Sequence, residues 1–406
     1  MRSSSPIKRV NSLKILKNKS VLLGITGGVA AYKSIELARR LKDEEASVTA
    51  VMTEASQHFI TRLSVEVATQ NRVFSSLYED PMAHVRLPME ADLIVIAPAT
   101  ANTLSKFANG IADDLLSTCL LSCSGKKVIV APSMNWRMYE NPLFRRNLNC
   151  LISAGVIQVG PEKGVLACGE DGIGRMSEVP DILDAIRSAL SVKDLAGEKI
   201  IVTAGPTREY IDPVRFISNR SSGKMGFALA AAARDRGADV TLVSGPTALN
   251  TPSGVRFIHA ETAGDMLTIV KEVAGKNATM LVMAAAVADF SPESKADVKL
   301  DKKDIRDLRL RRTEDIISAI SSGSSRPFIV GFAAETGRDL ARARKKMQDK
   351  HMDMIVFNDV TEPGSGFDVD TNMVVILDRT GEKNLERMSK DSTAHAIFDR
   401  VLEIKA

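Results

Sequence analysis

The sequence contains two copies of one local pattern, and this repetition constrains the fold more than any other feature. In residues 20–40 (SVLLGITGGVAAYKSIELARR), and again in residues 199–230, an apolar run leads into a loop with glycine and then into a helical pattern. β-Branched apolar runs indicate strands, and glycine turns end them. Strand, loop and helix in this order build parallel sheets covered by helices. The chain is therefore predicted to contain two α/β domains joined head to tail.

The length of the chain agrees with this division. Its 406 residues are more than one ordinary hydrophobic core contains. A polar stretch at 191–198 separates the two patterns, so we expect a first domain over residues 19–191 and a second over residues 192–406. Residues 1–18 are basic and lack the apolar segment of a secretory signal, which favours a disordered tail.

Composition excludes several classes of protein. The chain is 44% hydrophobic and 26% charged, and no apolar run approaches the ~20 residues that would span a membrane. The net charge is +4, but the first 20 residues carry six basic and no acidic side chains, so the remainder is near −2. Such a balance argues against a nucleic-acid-binding surface on the domains.

The cysteines give no sign of a disulfide framework. Cys119, Cys123, Cys150 and Cys168 are few and irregularly spaced, and none has zinc-ligand spacing with the five histidines. We therefore expect a cytoplasmic protein without structural metal. Cys168 stands out, because it lies close to Arg175 in the glycine-rich stretch 164–176, which is predicted to be a loop. An exposed thiol there could donate a proton, and a buried, inert cysteine is the alternative.

The loop after the first predicted strand is a candidate phosphate site. Gly27 and Gly28 could present backbone N–H groups to an anion at the start of the next helix. The sequence GITGGV lacks the G-x-G-x-x-G spacing of dinucleotide sites, so a mononucleotide is favoured over NAD, and a turn without a ligand is the alternative. Thr53, after the strand predicted at 47–52, adds a hydroxyl at the same sheet edge.

Polar residues follow two further predicted strands, at 93–99 and 128–133. Thr100, Asn102 and Thr103 follow the first, ahead of a helix predicted to begin near Leu104. Ser133, Met134, Asn135 and Met138 follow the second. Strand ends at one edge of a parallel sheet are where ligands bind, although helix capping alone would explain some of these residues. His84 precedes the strand at 93–99, and the polar residues that follow this strand make it a candidate functional residue.

These motifs resemble those of a known family. GITGGVAAYK, His84, APATANTLSKFANGIADDLL, PSMNWRM and ACGEDGIGRM occur here in the order found in flavin-dependent cysteine decarboxylases. From about Lys17 to its end, the chain resembles the bacterial bifunctional phosphopantothenoylcysteine decarboxylase/phosphopantothenate-cysteine ligases of coenzyme A synthesis. The resemblance implies a flavodoxin-like FMN domain followed by a Rossmann-like ligase domain.

The resemblance also implies roles in the first domain. FMN would lie against a set of small and polar residues, namely Gly27, Gly28, Thr53, Ala99, Thr100, Asn102 and Thr103. His84 would be the catalytic histidine, Asn135 would hold the substrate carboxylate, and Cys168 would be the proton donor. Met134 and Met138 would contribute to substrate binding.

The first loop of the second domain contains SSGKMG, which partly resembles a Walker motif. SSGKMG fails that pattern, which would need glycine at Ser218 and a hydroxyl at Met225. The loop still places Asn219 and Lys224 ahead of a helix start, a good anion site. Beyond a strand predicted at 328–335, Arg342, Lys346 and Lys350 share one helix face. This basic stripe suits a triphosphate, with a solvated face as the alternative.

For the ligase domain the resemblance implies both catalytic and nucleotide-binding residues. Asn219 would act on the acyl intermediate, with Arg215 nearby. The nucleotide would contact residues on several strand ends: Met283, Ala284, Ala285, Asp289, Asp315, Ile316, Phe332, Lys346 and Lys350. A strand predicted over 279–286 contains the first three of these residues. The family's loop lysines read Lys-x-Lys-Lys, but this chain has one extra residue between Lys299 and Lys302. Lys299 is favoured as the catalytic lysine from its distance to Phe290, and Lys302 is the alternative.

The implied activity is two consecutive reactions on small molecules. A ligase would join cysteine to 4′-phosphopantothenate through an acyl-cytidylate, using CTP and Mg²⁺, whose protein ligands the sequence does not indicate. A decarboxylase (lyase) would then convert 4′-phosphopantothenoylcysteine to 4′-phosphopantetheine. The resemblance implies homo-oligomers, with trimeric decarboxylase domains, dimeric ligase domains and a decarboxylase site shared between subunits. The alternative function is a flavin- and nucleotide-binding regulatory or scaffold protein, against which His84, Asn135 and Cys168 argue.

Overall fold

The structure is a computed structural model that describes residues 16–165, 169–301, 307–323, 326–362, 364, 366 and 369–405. The chain separates into two compact units between Ser191 and Val192. Each is a parallel α/β domain, and the predicted fold class is confirmed. A search of the described residues finds no helix with the length and apolar character needed to span a membrane.

The first domain alternates strands and helices. Its strands are β1 (Ser20–Ile25), β2 (Ser47–Met52), β3 (Val73–Phe74), β4 (Leu93–Ala99), β5 (Lys127–Pro132), β6 (Ile157–Gln158), β7 (Glu162–Val165) and β8 (Asp171–Arg175). Its α-helices are α1 (Tyr32–Asp43), α2 (Arg62–Thr69), α3 (Ala83–Glu90), α4 (Ala101–Ala108), α5 (Leu115–Ser122), α6 (Trp136–Glu140), α7 (Pro142–Ser153) and α8 (Val179–Leu190). Short 3-10 helices at Val29–Ala31 and Glu54–His58 follow β1 and β2.

The main sheet of this domain is parallel, with the strand order β3-β2-β1-β4-β5-β6. The order reverses between β1 and β4, which are adjacent and in register from Val21 opposite Leu93. One apolar cluster packs α1 and α8 on one face, and a second packs α3, α5 and α7 on the other. Ligands of doubly wound sheets bind at the carboxyl ends of the strands, where the order reverses. The fold therefore predicts a ligand site at the loops after β1 and β4.

Three expectations for the first domain need correction. The glycine-rich stretch at 164–176 was expected to be a loop, but β7 and β8 pair there as an antiparallel hairpin. Helix α4 begins at Ala101 rather than near Leu104, because Thr100 is its N-cap. The expected tail ended at residue 18, but Leu16 is fully buried in the core, so the ordered chain begins no later than this residue. Residues 1–15 lie outside the described residues.

The second domain is built on a larger sheet. Its strands are β9 (Lys199–Ala204), β10 (Arg208–Tyr210), β11 (Phe216–Ser218), β12 (Asp239–Ser244), β13 (Arg256–His259), β14 (Met280–Met283), β15 (Phe290–Pro292), β16 (Leu310–Arg312), β17 (Phe328–Glu335), β18 (Met354–Asp359), β19 (Thr371–Asn372), β20 (Val374–Asp378), β21 (Gly381–Asn384) and β22 (Met388–Ser389). Its α-helices are α9 (Lys224–Asp235), α10 (Ala263–Ala274), α11 (Ile316–Ser321), α12 (Leu340–Asp349) and α13 (Lys390–Lys405).

The strand order of the large sheet is β13-β12-β9-β14-β17-β18-β20-β21. Neighbouring strands are parallel from β13 to β18, and β20 and β21 are antiparallel to their neighbours. Helices α9 and α13 pack on one face, and α10, α11 and α12 pack on the other. The strand predicted over 279–286 is shorter than expected, since β14 ends at Met283 and Asp289 follows in a loop. This loop continues at the carboxyl edge of the sheet.

We predict that Phe398→Ala on α13 selectively destabilises the second domain. The Phe398 side chain is fully buried in the cluster that packs α9 and α13 on the sheet. Removing such a ring costs about 3 to 5 kcal/mol of unfolding free energy, because a cavity remains. Urea unfolding of the full chain, followed by circular dichroism, should show one transition moved to lower urea. Phe257→Ala is the control, since that ring is 42% exposed; equal effects of the two substitutions would contradict the prediction.

Candidate functional sites

The first domain has a cavity of about 930 Å³ at the carboxyl edge of its sheet. Most residues that the sequence singled out line it: Gly27, Gly28, Thr53, Thr100, Asn102, Thr103, Met134, Asn135 and Met138. Ala99 is the buried last residue of β4 and is not part of the lining. Cys168 lies outside the described residues. The loops after β1, β2, β4 and β5 therefore converge on one site.

The two glycines after β1 differ in their surroundings. A Cβ atom on Gly27 would come within 2.5 Å of the Ala55 Cβ, so this position requires glycine for close packing. A Cβ atom on Gly28 would make only ordinary van der Waals contacts, with Thr100 Cγ2 at 3.7 Å and Pro98 Cγ at 3.9 Å. Gly28 precedes the 3-10 helix and α1, and it faces the cavity. A small ligand group can thus approach the backbone at Gly28.

A buried threonine joins the loops after β1 and β4. The Thr26 hydroxyl donates to the Pro98 carbonyl at 2.8 Å and accepts from the Thr100 N–H at 3.1 Å. Thr100 in turn caps α4 by accepting from the Thr103 N–H at 3.4 Å. Asn135 caps α6 in the same way, accepting from the Arg137 N–H at 2.9 Å. Capping therefore does occur at Thr100 and Asn135, and both residues also line the cavity.

Sequence reasoning missed two lysines that line this cavity. The Lys33 ammonium lies 2.9 Å from Glu178 Oε1 and donates to the Met176 carbonyl at 3.2 Å, and its side chain is 8% exposed. The Lys106 ammonium lies 2.8 Å from Asp113, and this hydrogen bond raises the pKa of Lys106. Both lysines occur in helical stretches with polar neighbours, so no local signal distinguishes them from surface lysines. Glu178 is distant from Lys33 in sequence and is brought to it by the fold, and Asp113 follows Lys106 only after a loop.

The β7–β8 hairpin is fastened to the helix that Asn135 begins. The Met134 N–H donates to the Gly174 carbonyl at 3.0 Å, and a Cβ atom on Gly174 would clash with the Met134 carbonyl. Glu170 accepts from Trp136 Nε1 at 2.8 Å and pairs with Arg137 at 2.7 Å. The hairpin is thus held at the helix that Asn135 begins, through Glu170 and Gly174.

His84 is not brought to this cavity within one chain. It is half-buried on α3, where its backbone carbonyl accepts from Ser122 Oγ at 2.5 Å. It is not among the residues that line the cavity.

The second domain has a cavity of about 830 Å³ at the corresponding sheet edge. It is lined by ten of the predicted residues: Asn219, Met283, Ala284, Ala285, Asp289, Asp315, Ile316, Phe332, Lys346 and Lys350. Arg215 and Lys299 are not part of this lining. Arg215 binds a neighbouring turn, and Lys299 is exposed in a loop. Lys302 lies outside the described residues.

Side chains hold the loop after β14 in place. The Ala285 N–H donates to Thr203 Oγ1 at 3.1 Å, and the Ala288 N–H donates to Thr207 Oγ1 at 3.0 Å. Asn219 Nδ2 donates to the Val287 carbonyl at 2.8 Å. Thr203 and Thr207 are fully buried, so these bonds are shielded from water. The backbone between Ala284 and Asp289 is therefore presented to the cavity in a fixed conformation.

Two of the three helix cations belong to this site. Lys350 forms an ion pair with Asp315, which caps α11 by accepting from the Ser318 N–H at 2.8 Å. The Lys346 ammonium donates to the Phe332 carbonyl at 3.4 Å, and burial, together with the nearby Lys350 charge, lowers the pKa of Lys346.

Arg342 departs from the predicted basic stripe. It lies 3.3 Å from Glu335, its side chain is 70% exposed, and it does not line the cavity. Four basic residues that the sequence analysis did not assign to the nucleotide do line it: Arg220, Lys224, Arg312 and Lys390. Lys224 pairs with Asp370 at 2.6 Å, and Lys390 is buried and donates to the Gly366 carbonyl at 3.1 Å.

Comparisons with known proteins match both halves of the chain. Residues 9–191 match the flavoprotein family model, and residues 195–404 match the model for the DNA/pantothenate metabolism flavoprotein C-terminal domain. The coenzyme A biosynthesis bifunctional protein CoaBC of Vibrio cholerae is 41% identical over 399 residues, covering 96% of this chain and 100% of that protein. The CoaBC protein of Bacillus subtilis is 40% identical over 397 residues, covering 95% of this chain and 97% of that protein.

Among solved structures, the C-terminal domain of a CoaBC protein is 38% identical, with a TM-score of 0.45, and covers 52% of this chain and 97% of that domain. The two domain models match in order along the chain, and the identity to the full-length relatives extends over nearly the whole sequence. The chain therefore belongs to the family of bifunctional enzymes of coenzyme A biosynthesis.

Proposed function

We propose that the second domain ligates cysteine to 4′-phosphopantothenate with CTP, and that the first domain decarboxylates the product to 4′-phosphopantetheine with FMN. The observation that carries this proposal is that each sheet has a cavity at its carboxyl edge, lined by most of the residues that the family resemblance implies. Residues 19–191 would form the decarboxylase, and residues 192–406 would form the ligase.

The first cavity suits FMN. Its phosphate would bind at Gly28, where the backbone is accessible and a helix begins. Thr53, Thr100, Asn102 and Thr103 would contact the remainder of the cofactor. When bound, FMN supplies a two-electron oxidation of the substrate thiol, which lets the carbanion left by carbon dioxide delocalise. The cavity volume of about 930 Å³ is compatible with a cofactor and part of a substrate.

The chain's own residues would bind the substrate and move its proton. The Asn135 amide would hold the substrate carboxylate, with Met134 and Met138 beside it. Cys168 would donate the proton that completes the product. His84 would act from a neighbouring copy, which agrees with its absence from the cavity of its own chain and with the family's trimeric decarboxylase domains. The proposed location is the cytoplasm, where Cys119, Cys123 and Cys150 would stay as free thiols.

The second cavity suits a nucleoside triphosphate. The carboxylate of 4′-phosphopantothenate would attack the α-phosphorus of CTP, forming the acyl-cytidylate and releasing pyrophosphate. The cysteine amine would then attack the acyl carbon and release CMP. Lys346 and Lys350 would bind phosphate oxygens, while Asn219 and Lys299 would act on the intermediate.

Mg²⁺ would enter with the nucleotide. The described part of the chain contains no group of three or more His, Cys, Asp or Glu side chains arranged to hold a metal ion. Mg²⁺ commonly keeps several waters and binds through substrate phosphates, which fits such a site. Dimeric ligase domains are part of the proposal, because Arg215 and Lys299 do not line the cavity of their own chain.

We predict that Gly28→Asp abolishes FMN binding. A Cβ atom fits at this position, so the new side chain would act through its charge, by repelling the cofactor phosphate. The protein as purified should lose its flavin absorbance. Gly28→Asn is the matched control, because it has nearly the same size and no charge, and it should retain more flavin. Full flavin occupancy in Gly28→Asp would contradict the phosphate assignment.

We predict that Cys168→Ser separates decarboxylation from the final protonation. The variant should keep flavin and substrate and should release carbon dioxide, but it should accumulate an oxidised, decarboxylated enethiol, because the serine hydroxyl is a much weaker acid than a thiol. Mass spectrometry of the product and carbon dioxide release measure both steps. Formation of 4′-phosphopantetheine at the wild-type rate would show that another group donates the proton.

We predict that Lys346→Ala weakens nucleotide binding at least about tenfold. The lost charge-assisted contact is worth roughly 1.5 to 3 kcal/mol. Arg342→Ala on the same helix is the control and should leave the CTP dependence of pyrophosphate release unchanged, since Arg342 pairs with Glu335 outside the cavity. Equal responses of the two variants would contradict the assignment of Lys346. Faster reaction of the wild type with ATP than with CTP would contradict the choice of nucleotide.

A further inference from the structure

One buried carboxylate links Arg215 to the segment that carries Lys299, the two proposed ligase residues outside the cavity. Asp212 sits in the turn between β10 and β11, and it is 0% exposed. Its Oδ1 atom accepts from the N–H groups of Val214 and Arg215, both at 2.8 Å. Its Oδ2 atom accepts from Arg215 Nη1 at 3.2 Å and from the Leu300 N–H at 3.3 Å. The carboxylate therefore has four donors from two segments.

The second segment is the one that carries Lys299. The Leu300 carbonyl accepts from the same Arg215 Nη1 atom at 3.1 Å, so the N–H and the C=O of Leu300 are both bound. A further tie joins the segments, since the Ala296 N–H donates to the Ile211 carbonyl at 2.9 Å. Arg215 and Leu300 are 85 residues apart in sequence, and Asp212 touches both.

The surroundings of Asp212 stabilise its ionised form. The backbone N–H groups of Val214, Arg215 and Leu300 and the Arg215 guanidinium stabilise the ionised carboxylate, and the pKa of Asp212 is lowered although burial alone would raise it. A carboxylate can accept several hydrogen bonds at once, whereas an amide has only one oxygen. Asparagine at this position could not satisfy donors on both sides.

We infer that Asp212 is a positioning residue of the ligase, which holds Arg215 and Leu300 as one unit and thereby sets the position of Lys299. This inference rests on the ligase activity proposed above. It also favours Lys299 over Lys302 as the reacting lysine, because Lys299 is directly bonded in sequence to the residue that Asp212 anchors. Displacing a reacting group by about 1 Å can cost about a hundredfold in rate.

The same domain contains a comparison residue with a structural role only. Asp378 is also 0% exposed, accepts from Arg400 Nε at 2.8 Å and accepts from the Thr380 N–H at 2.7 Å. Arg400 and Thr380 are not among the proposed ligase residues. Asp378→Asn therefore reproduces the loss of a buried carboxylate paired with arginine, but away from the proposed chemistry.

The test compares Asp212→Asn with Asp378→Asn in the full-length protein, by steady-state ligation with CTP and cysteine. For Asp212→Asn we expect kcat to fall about tenfold to a hundredfold while the KM for CTP changes little. Hydrogen exchange at the Leu300 amide should become faster in the same variant. Asp378→Asn should lower the thermal midpoint without reducing kcat. Wild-type kcat in folded Asp212→Asn would overturn the inference.

If Asp212→Asn does not fold, a second pair of variants tests the positioning role of Asp212. Leu300→Pro removes the N–H that Asp212 binds and leaves the carboxylate in place, whereas Leu300→Ala keeps that N–H. We expect only Leu300→Pro to lower kcat, and to do so little further when Lys299 is already alanine. Equal kcat in the two Leu300 variants would overturn the inference. A wild-type protein that fails to ligate cysteine would instead overturn the proposed function, and the inference with it.

Discussion

Both sites depend on a buried threonine hydroxyl that joins the ends of two neighbouring parallel strands. In the first domain Thr26 binds the Pro98 carbonyl and the Thr100 N–H, so the loop after β1 is tied to the loop after β4. In the second domain Thr203, at the end of β9, accepts from the Ala285 N–H after β14. These strand pairs are adjacent in their sheets. Without such bonds, the backbone groups at the point where the strand order reverses would have no fixed partners.

Each domain adds residues to its sheet edge by means of a small accessory sheet. The β7–β8 hairpin is held against α6 through Glu170 and Trp136. The chain that follows the hairpin is held against α1 by the bonds of Lys33 to Met176 and Glu178. In the second domain the turn between β10 and β11 carries Arg215 and is joined to the segment of Lys299. The parallel sheets thus provide the cavity edges, and the accessory elements carry or hold residues with proposed roles in the chemistry.

The sequence predicts the sheet edges well because their strands are buried on both faces. Continuous apolar runs give β4 and β17 with the observed bounds. Thr100, Asn102 and Thr103 after β4 line the first cavity, and Lys346 and Lys350 beyond β17 line the second. The hairpin is missed because its glycines allow close packing against Met134 and Trp136, a tertiary contact that local propensity does not contain. The pairing of Arg342 with Glu335 and of Lys33 with Glu178 is likewise decided by the fold. His84 shows a different limit, since one chain does not bring it to the cavity.

The two cavities differ in how their positive charge is balanced, and this difference matches their proposed ligands. The cations that line the first cavity are paired with acids of the same domain: Lys33 and Arg175 with Glu178, and Lys106 with Asp113. A cofactor phosphate there would rely mainly on backbone N–H groups at Gly28. In the second cavity Lys350 and Lys224 also pair with acids, Asp315 and Asp370. Lys346, however, is half-buried against a carbonyl and beside Lys350, an arrangement that lowers its pKa. An arriving triphosphate would relieve that unfavourable burial of charge. The first site therefore suits a resident cofactor, while the second suits a charged substrate that is bound, consumed and released in each turnover.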